Sequence, residues 1–300
     1  MEQKKSSMFV VEIDTSLANK LINDLKNLSF TLTQPQYTFF MAKKDNLVVT
    51  FYQSGKLTVQ GKDLPEFIEF YLEPEILGTF KFSNQTAYAD LTPRIGVDES
   101  GKGDFFGPLV ISSVYGDAST IPKLIEIGVK DSKAFKDPLI LKMAKEIRAI
   151  VQCDVIRIMP LKYNELYDKF KNLNSLLAWG HAQAISNLVQ RTGCKKATID
   201  QFASEHVVKN ALLKKHQDVD LAQQHRGEED VVVAAASILA REGFITSLAG
   251  LEKTYDSSLP KGASSATKNA ASAFAKKYGK TKLKEVAKIH FKTYNEIENF

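Results

Sequence analysis

Residues 231–248 are apolar on nearly every face when set on a helical period, and no other segment constrains the fold as much. A helix without a polar face has to be enclosed, by protein or by lipid. Lipid is excluded by length, because the longest unbroken apolar run, residues 231–236, is far short of the roughly 20 residues that span a bilayer. Protein layers must therefore cover this helix on all sides. The 300 residues of the chain suffice for two domains or one large one at about 100–200 residues per domain.

The segments ahead of that helix alternate strand and helix. Residues 94–98 and 109–115 read as strands, 122–125 and 138–150 as helices, 153–159 as a strand, 163–191 as helical and 196–200 as a strand. This order predicts an α/β domain, a mixed sheet flanked by helices. Further upstream, residues 9–13 read as a strand and 16–28 as a helix, with Leu17, Leu21, Ile22, Leu25 and Leu28 at helical spacing. Strands follow at 30–33, 37–42, 47–53 and 56–60, with Ser54-Gly55 as a tight turn between the last two, and then a helix at 64–72. These elements make a small two-layer α+β module, one sheet face covered by helices and the other available. Residues 78–93, rich in Thr, Ser, Asn and Gln, read as a linker, which gives domains at 1–88 and 89–300 and an α+β chain overall. No internal repeat is present. Residues 257–282, rich in Ser, Ala, Lys and Gly, read as a mobile loop.

Composition narrows the function classes. With 44% hydrophobic and 25% charged residues, neither collagen-like, disordered nor membrane composition fits. Only Cys153 and Cys194 are present, which excludes a disulfide scaffold and a multi-Cys zinc module and suits a reducing cytosol. The N-terminal residues do not lead into a signal-peptide core, since Glu12 interrupts the apolar stretch 8–11; the expected address is cytoplasmic, with no membrane association. The formal charge of +5 is unevenly placed: residues 251–300 hold ten Lys and five acids, so the first 250 balance. Such asymmetry suits a polyanionic partner such as nucleic acid, although a solvated lysine-rich helix face accounts for the charge equally well.

The stretch that carries chemistry is Gly96-Val97-Asp98-Glu99-Ser100-Gly101-Lys102-Gly103-Asp104-Phe105-Phe106-Gly107-Pro108. An apolar strand ends in two adjacent carboxylates and runs straight into a glycine-rich loop. Adjacent strand residues point to opposite faces, so Asp98 and Glu99 share a site only if the strand ends there. Glycines permit that bend and leave the backbone amides open to a phosphodiester or a sugar hydroxyl. Two carboxylates beside such a surface are the parts needed for a divalent metal and a phosphate ester; an acidic hairpin that uses Gly for its turns would show the same residues. The pattern is neither G-x-G-x-x-G nor G-x-x-x-x-G-K-[ST], so a nucleotide loop does not fit.

Residues 97–108 closely resemble the first motif of the ribonuclease HIII family, within the type 2 ribonucleases H. The similarity continues in order through Val129-Lys130-Asp131-Ser132-Lys133, Asn172-Leu173-Asn174 with Gly180-His181, Ile199-Asp200-Gln201-Phe202, Ala234-Ala235-Ala236-Ser237-Ile238-Leu239-Ala240-Arg241, Leu259-Pro260-Lys261-Gly262-Ala263 and Lys288-Ile289-His290-Phe291. The N-terminal module is similar to the extra domain of that family, which resembles one repeat of the TATA-binding protein. The resemblance implies a ribonuclease H-like catalytic domain, an N-terminal substrate-binding domain, and endonucleolytic hydrolysis of the RNA strand of RNA/DNA hybrids by a monomer using Mg²⁺ or Mn²⁺, leaving 5′-phosphate and 3′-hydroxyl ends.

Carried over by position, the resemblance implies Asp98, Glu99 and Asp200 as catalytic metal ligands, with Glu228 as the fourth acid and Glu229 as second choice within Arg226-Gly227-Glu228-Glu229-Asp230. Carboxylates before a helix also serve as caps, and Asp230 suits that role. Gly101, Lys102 and Gly103 are the expected readers of the sugar 2′-OH, and Lys133 and Lys261 are expected at phosphates. Asp104 suits a structural turn, His181 and His290 structural or rim positions, and Cys153, Cys194 and Trp179 packing. Two other readings use the same residues: a non-catalytic hybrid-binding protein, which would have lost an acid of the set, and another nuclease of the ribonuclease H-like fold, which leaves the Gly-Lys-Gly loop and the N-terminal module unexplained.

Overall fold

The computed structural model describes residues 8–84, 86–200, 205–215, 218–224 and 229–297. The chain divides into two compact units, Met1–Ala89 and Asp90–Phe300.

The first unit is a five-stranded antiparallel sheet of order β1-β5-β4-β3-β2, built from β1 (Met8–Glu12), β2 (Thr31–Thr33), β3 (Thr38–Lys44), β4 (Leu47–Tyr52) and β5 (Lys56–Gly61). Strand alternation sends Phe40, Ala42, Val49, Phe51, Leu57 and Val59 to one face, where they are buried with Leu21 and Leu25 of α1 (Ala18–Asn27) and Leu64, Ile68 and Leu72. The opposite face carries Lys43, Val48, Thr50, Tyr52, Thr58 and Gln60 in register across the strands. The expected helix at 64–72 is longer and of two kinds: α2 (Leu64–Phe67) passes into a π-helical stretch, Ile68–Leu77, that contains Pro74. Buried Glu73 closes this segment by accepting hydrogen bonds from the backbone N–H of Phe82 (2.6 Å) and of Ser83 (3.0 Å).

The second unit is a mixed five-stranded sheet of order β10-β9-β6-β7-β8. Its strands are β6 (Arg94–Ser100), β7 (Leu109–Gly116), β8 (Cys153–Ile158), β9 (Lys196–Asp200) and β10 (Asp220–Gln224). The β6-β7-β8 part is antiparallel, while β9 runs parallel to both β6 and β10. Between β7 and β9 lie α3 (Ile121–Ile127), α4 (Asp137–Ile150), α5 (Pro160–Phe170) and α6 (Leu173–Thr192). The stretch expected to be helical from 163 to 191 is thus broken: Lys171 is left-handed (φ 53°) and the Asn172 side chain caps the next helix by accepting from Ser175 N–H at 3.2 Å. Then come α7 (Glu205–Leu213), α8 (Val231–Tyr255) and α9 (Ser265–Tyr278), with a short α10 (Lys292–Asn295) after a 3₁₀ turn.

Helix α9 corrects the expectation of a mobile loop at 257–282. Thr267, Ala271, Phe274 and Ala275 recur at helical spacing and are buried, so its small residues pack a helix rather than loosen a loop. Contrary to the expectation from the length of the unbroken apolar run, helix α8 is long and apolar enough to cross a membrane by length and composition; what accounts for its apolar faces is its packing on the sheet against β6 and β7. The contact is intimate: a Cβ on Gly96 of β6 would stand 2.5 Å from backbone atoms of Val232 and Val233. Helix α6 covers the other face, packing Leu177 and Ile185 with Ile95, Val97 and Ile111.

Candidate active site

The register of the sheet brings the acids together. Ile95, Gly96 and Val97 pair with Ala197, Thr198 and Ile199, so the next residues, Asp98 and Asp200, leave adjacent parallel strands side by side on the face toward α8. The expectation that the strand ends at Asp98 is not met: the ladder continues through Glu99↔Ile111 to Ser100↔Val110. Alternation accordingly turns Glu99 toward α6, where its Oε2 lies 3.0 Å from His181 Nε2, while Asp98 meets Ser237 of α8. The two carboxylates still line one cleft, because both sit at the end of the sheet where the cleft opens. This cleft of ≈ 480 Å³ is lined by Asp98, Glu99, Gly101, Lys102, Gly103, Asp104, Asp131, Ser132, Lys133, Asp200, Ser237, Arg241 and Lys261.

Their electrostatics differ. Burial, with the like charges of Glu99 and Asp200, pushes the Asp98 carboxyl up to about 7, against hydrogen bonds from Glu99 N–H (2.8 Å) and Ser237. Burial acts on Glu99 too, but the His181 hydrogen bond and the nearby Lys102 ammonium (3.6 Å) outweigh it and hold that carboxyl below its usual range. All the acidic donors are oxygens, and three carboxylates concentrating charge at one strand end suit a hard divalent cation. Among the described residues no three Asp, Glu, His or Cys side chains are grouped closely enough to hold a metal ion. Glu228 lies outside the described residues; Glu229 is exposed one position before Asp230.

Asp230 has the capping role expected of it, its Oδ1 accepting from the N–H groups of Val232 (2.8 Å) and Val233 (3.4 Å). Arg94, only 4% exposed, locks it in place through Nε to Oδ2 at 2.6 Å. Asp104 is structural as expected, accepting from Gly262 N–H at 2.6 Å. On the cationic wall, Lys261 and Arg241 both bind Asp137, Arg241 at 2.8 Å, and the Lys261 hydrogen bond, more than that of Arg241, holds the Asp137 carboxyl below its usual range. Gly101 (φ 90°) bends the loop where a Cβ would stand 2.2 Å from Pro108 O, whereas a Cβ on Gly103 would meet nothing within 4 Å.

Sequence reasoning missed Ser132, Ser237, Arg241 and the hold of His181 on Glu99. Ser237 and Arg241 had a signal, since their i,i+4 spacing puts both on one face of an otherwise apolar helix. Ser132 Oγ lies 2.7 Å from Ser237 Oγ, linking the 131–133 segment to the neighbourhood of Asp98.

A mixed sheet of this strand order, flanked by helices on both faces and with acids gathered at the end of adjacent central strands, has the ribonuclease H-like fold. The chain belongs to the ribonuclease HII family, whose model matches residues 95–294. Its curated relatives include ribonuclease HIII of Protochlamydia amoebophila, 52% identical over 96% of both chains, and ribonuclease HIII of Chlamydia pneumoniae, 52% identical over 96% of this chain and 97% of the other. A second model, a domain of unknown function (DUF3378), matches residues 8–84. Among solved structures, Bst-RNase HIII in complex with Mn²⁺ aligns with a TM-score of 0.68 at 27% identity over 97% of both chains. Aquifex aeolicus RNase H3 aligns at 0.56 with 25% identity, covering 94% of this chain and 99% of that one.

Proposed function

We propose that this chain is a cytoplasmic, monomeric endoribonuclease that hydrolyses the RNA strand of RNA/DNA hybrids, with Asp98, Glu99, Asp200 and Glu228 as its metal-holding acids. The observation that carries the reading is the convergence of Asp98, Glu99 and Asp200 on one cleft beside the Gly101–Gly103 backbone, in a chain similar over 96% of its length to a ribonuclease HIII. These acids would hold Mg²⁺ or Mn²⁺, which would supply Lewis-acid activation of a water and stabilisation of the charge on the leaving oxygen. The other groups bind and orient. Gly101, Lys102 and Gly103 present main chain to the sugar, whose 2′-OH separates RNA from DNA, and Lys133, Lys261 and Arg241 face the phosphates. His181 keeps Glu99 ionised and aimed.

The N-terminal unit is the binding module in this reading. Phe40 and Phe51 belong to its core and Phe39 lies tilted against Phe51 with ring centroids 5.1 Å apart, which leaves Tyr37 (71% exposed), Tyr52 and Lys43 as aromatic and basic groups for the nucleic acid.

The test is cleavage of end-labelled RNA/DNA hybrid, single-stranded RNA, and duplex DNA with one embedded ribonucleotide, with Mg²⁺, with Mn²⁺ and with chelator. Metal-dependent internal cuts in the hybrid, leaving 5′-phosphates, are expected; binding without cutting would favour the non-catalytic reading. The loop glycines give a finer check. Gly103→Ala should leave stability within about 0.5 kcal/mol, since its methyl enters open space. It should still lower kcat/KM about tenfold, by obstructing the approach of the sugar to the main chain. Gly101→Ala should instead destabilise the fold by 1 kcal/mol or more, roughly the cost of a strained backbone. Wild-type kinetics in Gly103→Ala would refute main-chain reading of the sugar.

A further inference from the structure

Lys288 is completely buried, and its ammonium is spent on main chain. It donates to the carbonyl oxygens of Asp104 and Gly107, both at 2.8 Å, with Phe106 O at 3.5 Å, and stands 5.6 Å from the centre of the Tyr163 ring. The backbone follows the same path: Lys288 N–H donates to Phe105 O (2.8 Å) and Gly107 N–H to Val286 O (2.9 Å). The residues it grips are the continuation of Gly101–Gly103. On the other side, the loop is held where the β6–β7 ladder ends at Ser100↔Val110.

Glycine loops have the most backbone freedom to lose, so a loop that must meet a ligand in one shape needs outside restraint. An apolar side chain would fill the same space. The Lys288 ammonium can bring three donors to these three carbonyls where an apolar side chain brings none, and it does so against its solvation: burial pushes the Lys288 amine down to about 7, opposed by the pull of Asp104. A buried Lys whose donated hydrogen bonds all go to one four-residue segment points to a geometric role.

We propose that Lys288 is a positioning residue that clamps residues 104–107 and thereby presets the Gly101–Gly103 loop for the sugar-phosphate backbone. The role of that loop rests on the function proposed above, whereas the clamp itself does not.

The experiment compares full-length wild type with Lys288→Met and with Lys288→Gln, which keeps two donors. Hydrogen exchange of the 101–107 amides is measured without substrate, alongside kcat and KM on one hybrid. Lys288→Met should raise exchange at 101–107 at least tenfold while the β6–β7 strands stay protected. It should lower kcat about ten- to a hundredfold with KM changed less than threefold, because duplex contacts outside the loop persist. Lys288→Gln should fall between. Wild-type exchange in the loop, protection lost evenly through the domain, or failure of both variants to fold would each overturn the clamp. Inability of the wild type to cut any hybrid would instead overturn the proposed function, leaving the exchange result to stand on its own.

Discussion

Asp98→Asn and Asp200→Asn should each lower metal-dependent cleavage of hybrid by well over a hundredfold, while leaving the fold and hybrid binding intact. Loss of an outer partner of a ligand already costs about 10–100-fold in metal affinity or activity, so loss of the ligand itself must exceed that. Asp98→Asn carries a second signature. Burial and two like charges raise the folded-state pKa of Asp98 to about 7, so in chelator the group favours folding below its unfolded value near 4 and loses that contribution as pH rises toward 7. The Asn variant carries no charge to desolvate. It should therefore be at least as stable as the wild type at pH 8 without metal, with a Tm gain of about 2–4 °C per kcal/mol recovered. In the same assay, Glu228→Gln should be nearly inactive and Glu229→Gln should behave as a surface change of at most about 1 kcal/mol. Near-normal turnover by Asp98→Asn or Asp200→Asn would end the assignment of these acids, and the reverse ranking of Glu228 and Glu229 would move the fourth ligand.

Arg94→Met should be the most destabilising single change at a distance from the cleft, by about 3–5 kcal/mol, the usual cost of leaving one partner of a buried ion pair. Arg94 donates from Nη1 to the carbonyls of Asp90 (2.9 Å) and Thr92 (2.8 Å) as well as from Nε to Asp230, so one guanidinium ties the start of β6 to the N-terminus of α8. Adding Asp230→Asn should recover part of the loss, since Asn still caps the helix and leaves no buried charge without its partner. Urea or thermal unfolding of the wild type, single and double variants measures both effects. A loss under 1 kcal/mol in Arg94→Met would mean that the ion pair is not what joins these two elements.

The acidic and glycine-rich motif and most of the framework were legible from residue order. Strand alternation and helical spacing are local, so the five N-terminal strands, Arg94–Ser100 and Lys196–Asp200 could be read with ends shifted by at most two residues, and the buried helix from its start at Val231, though it runs seven residues past the expected end at 248 to Tyr255. The cap at Asp230 was likewise visible, because it depends on residues at the helix start, whereas Asp104, expected in a turn, has its side chain tied to Gly262 far along the chain. Where local signals conflicted, the reading failed. Residues 257–282 have the composition of a loop, and only the burial of Ala271 and Phe274 against the rest of the domain makes a helix there. The break at Lys171 is invisible to periodicity because apolar spacing resumes after it.

What residue order determined by itself was the kind of chemistry and where its parts lie along the chain: adjacent carboxylates, an amide-exposing glycine loop, and a core helix that demands layers on every side. What only the tertiary structure decided was which distant groups meet. The parallel register of Val97 with Ile199 sets Asp98 beside Asp200, His181 reaches Glu99 across the α6 face, Arg94 finds Asp230, and Lys288 grips the backbone of residues 104–107. Each of these contacts joins residues about 80 to 180 positions apart, beyond the few residues over which propensity and periodicity act. They are set by strand pairing and by close packing, which leave a buried charge only the partners that the folded core brings to it.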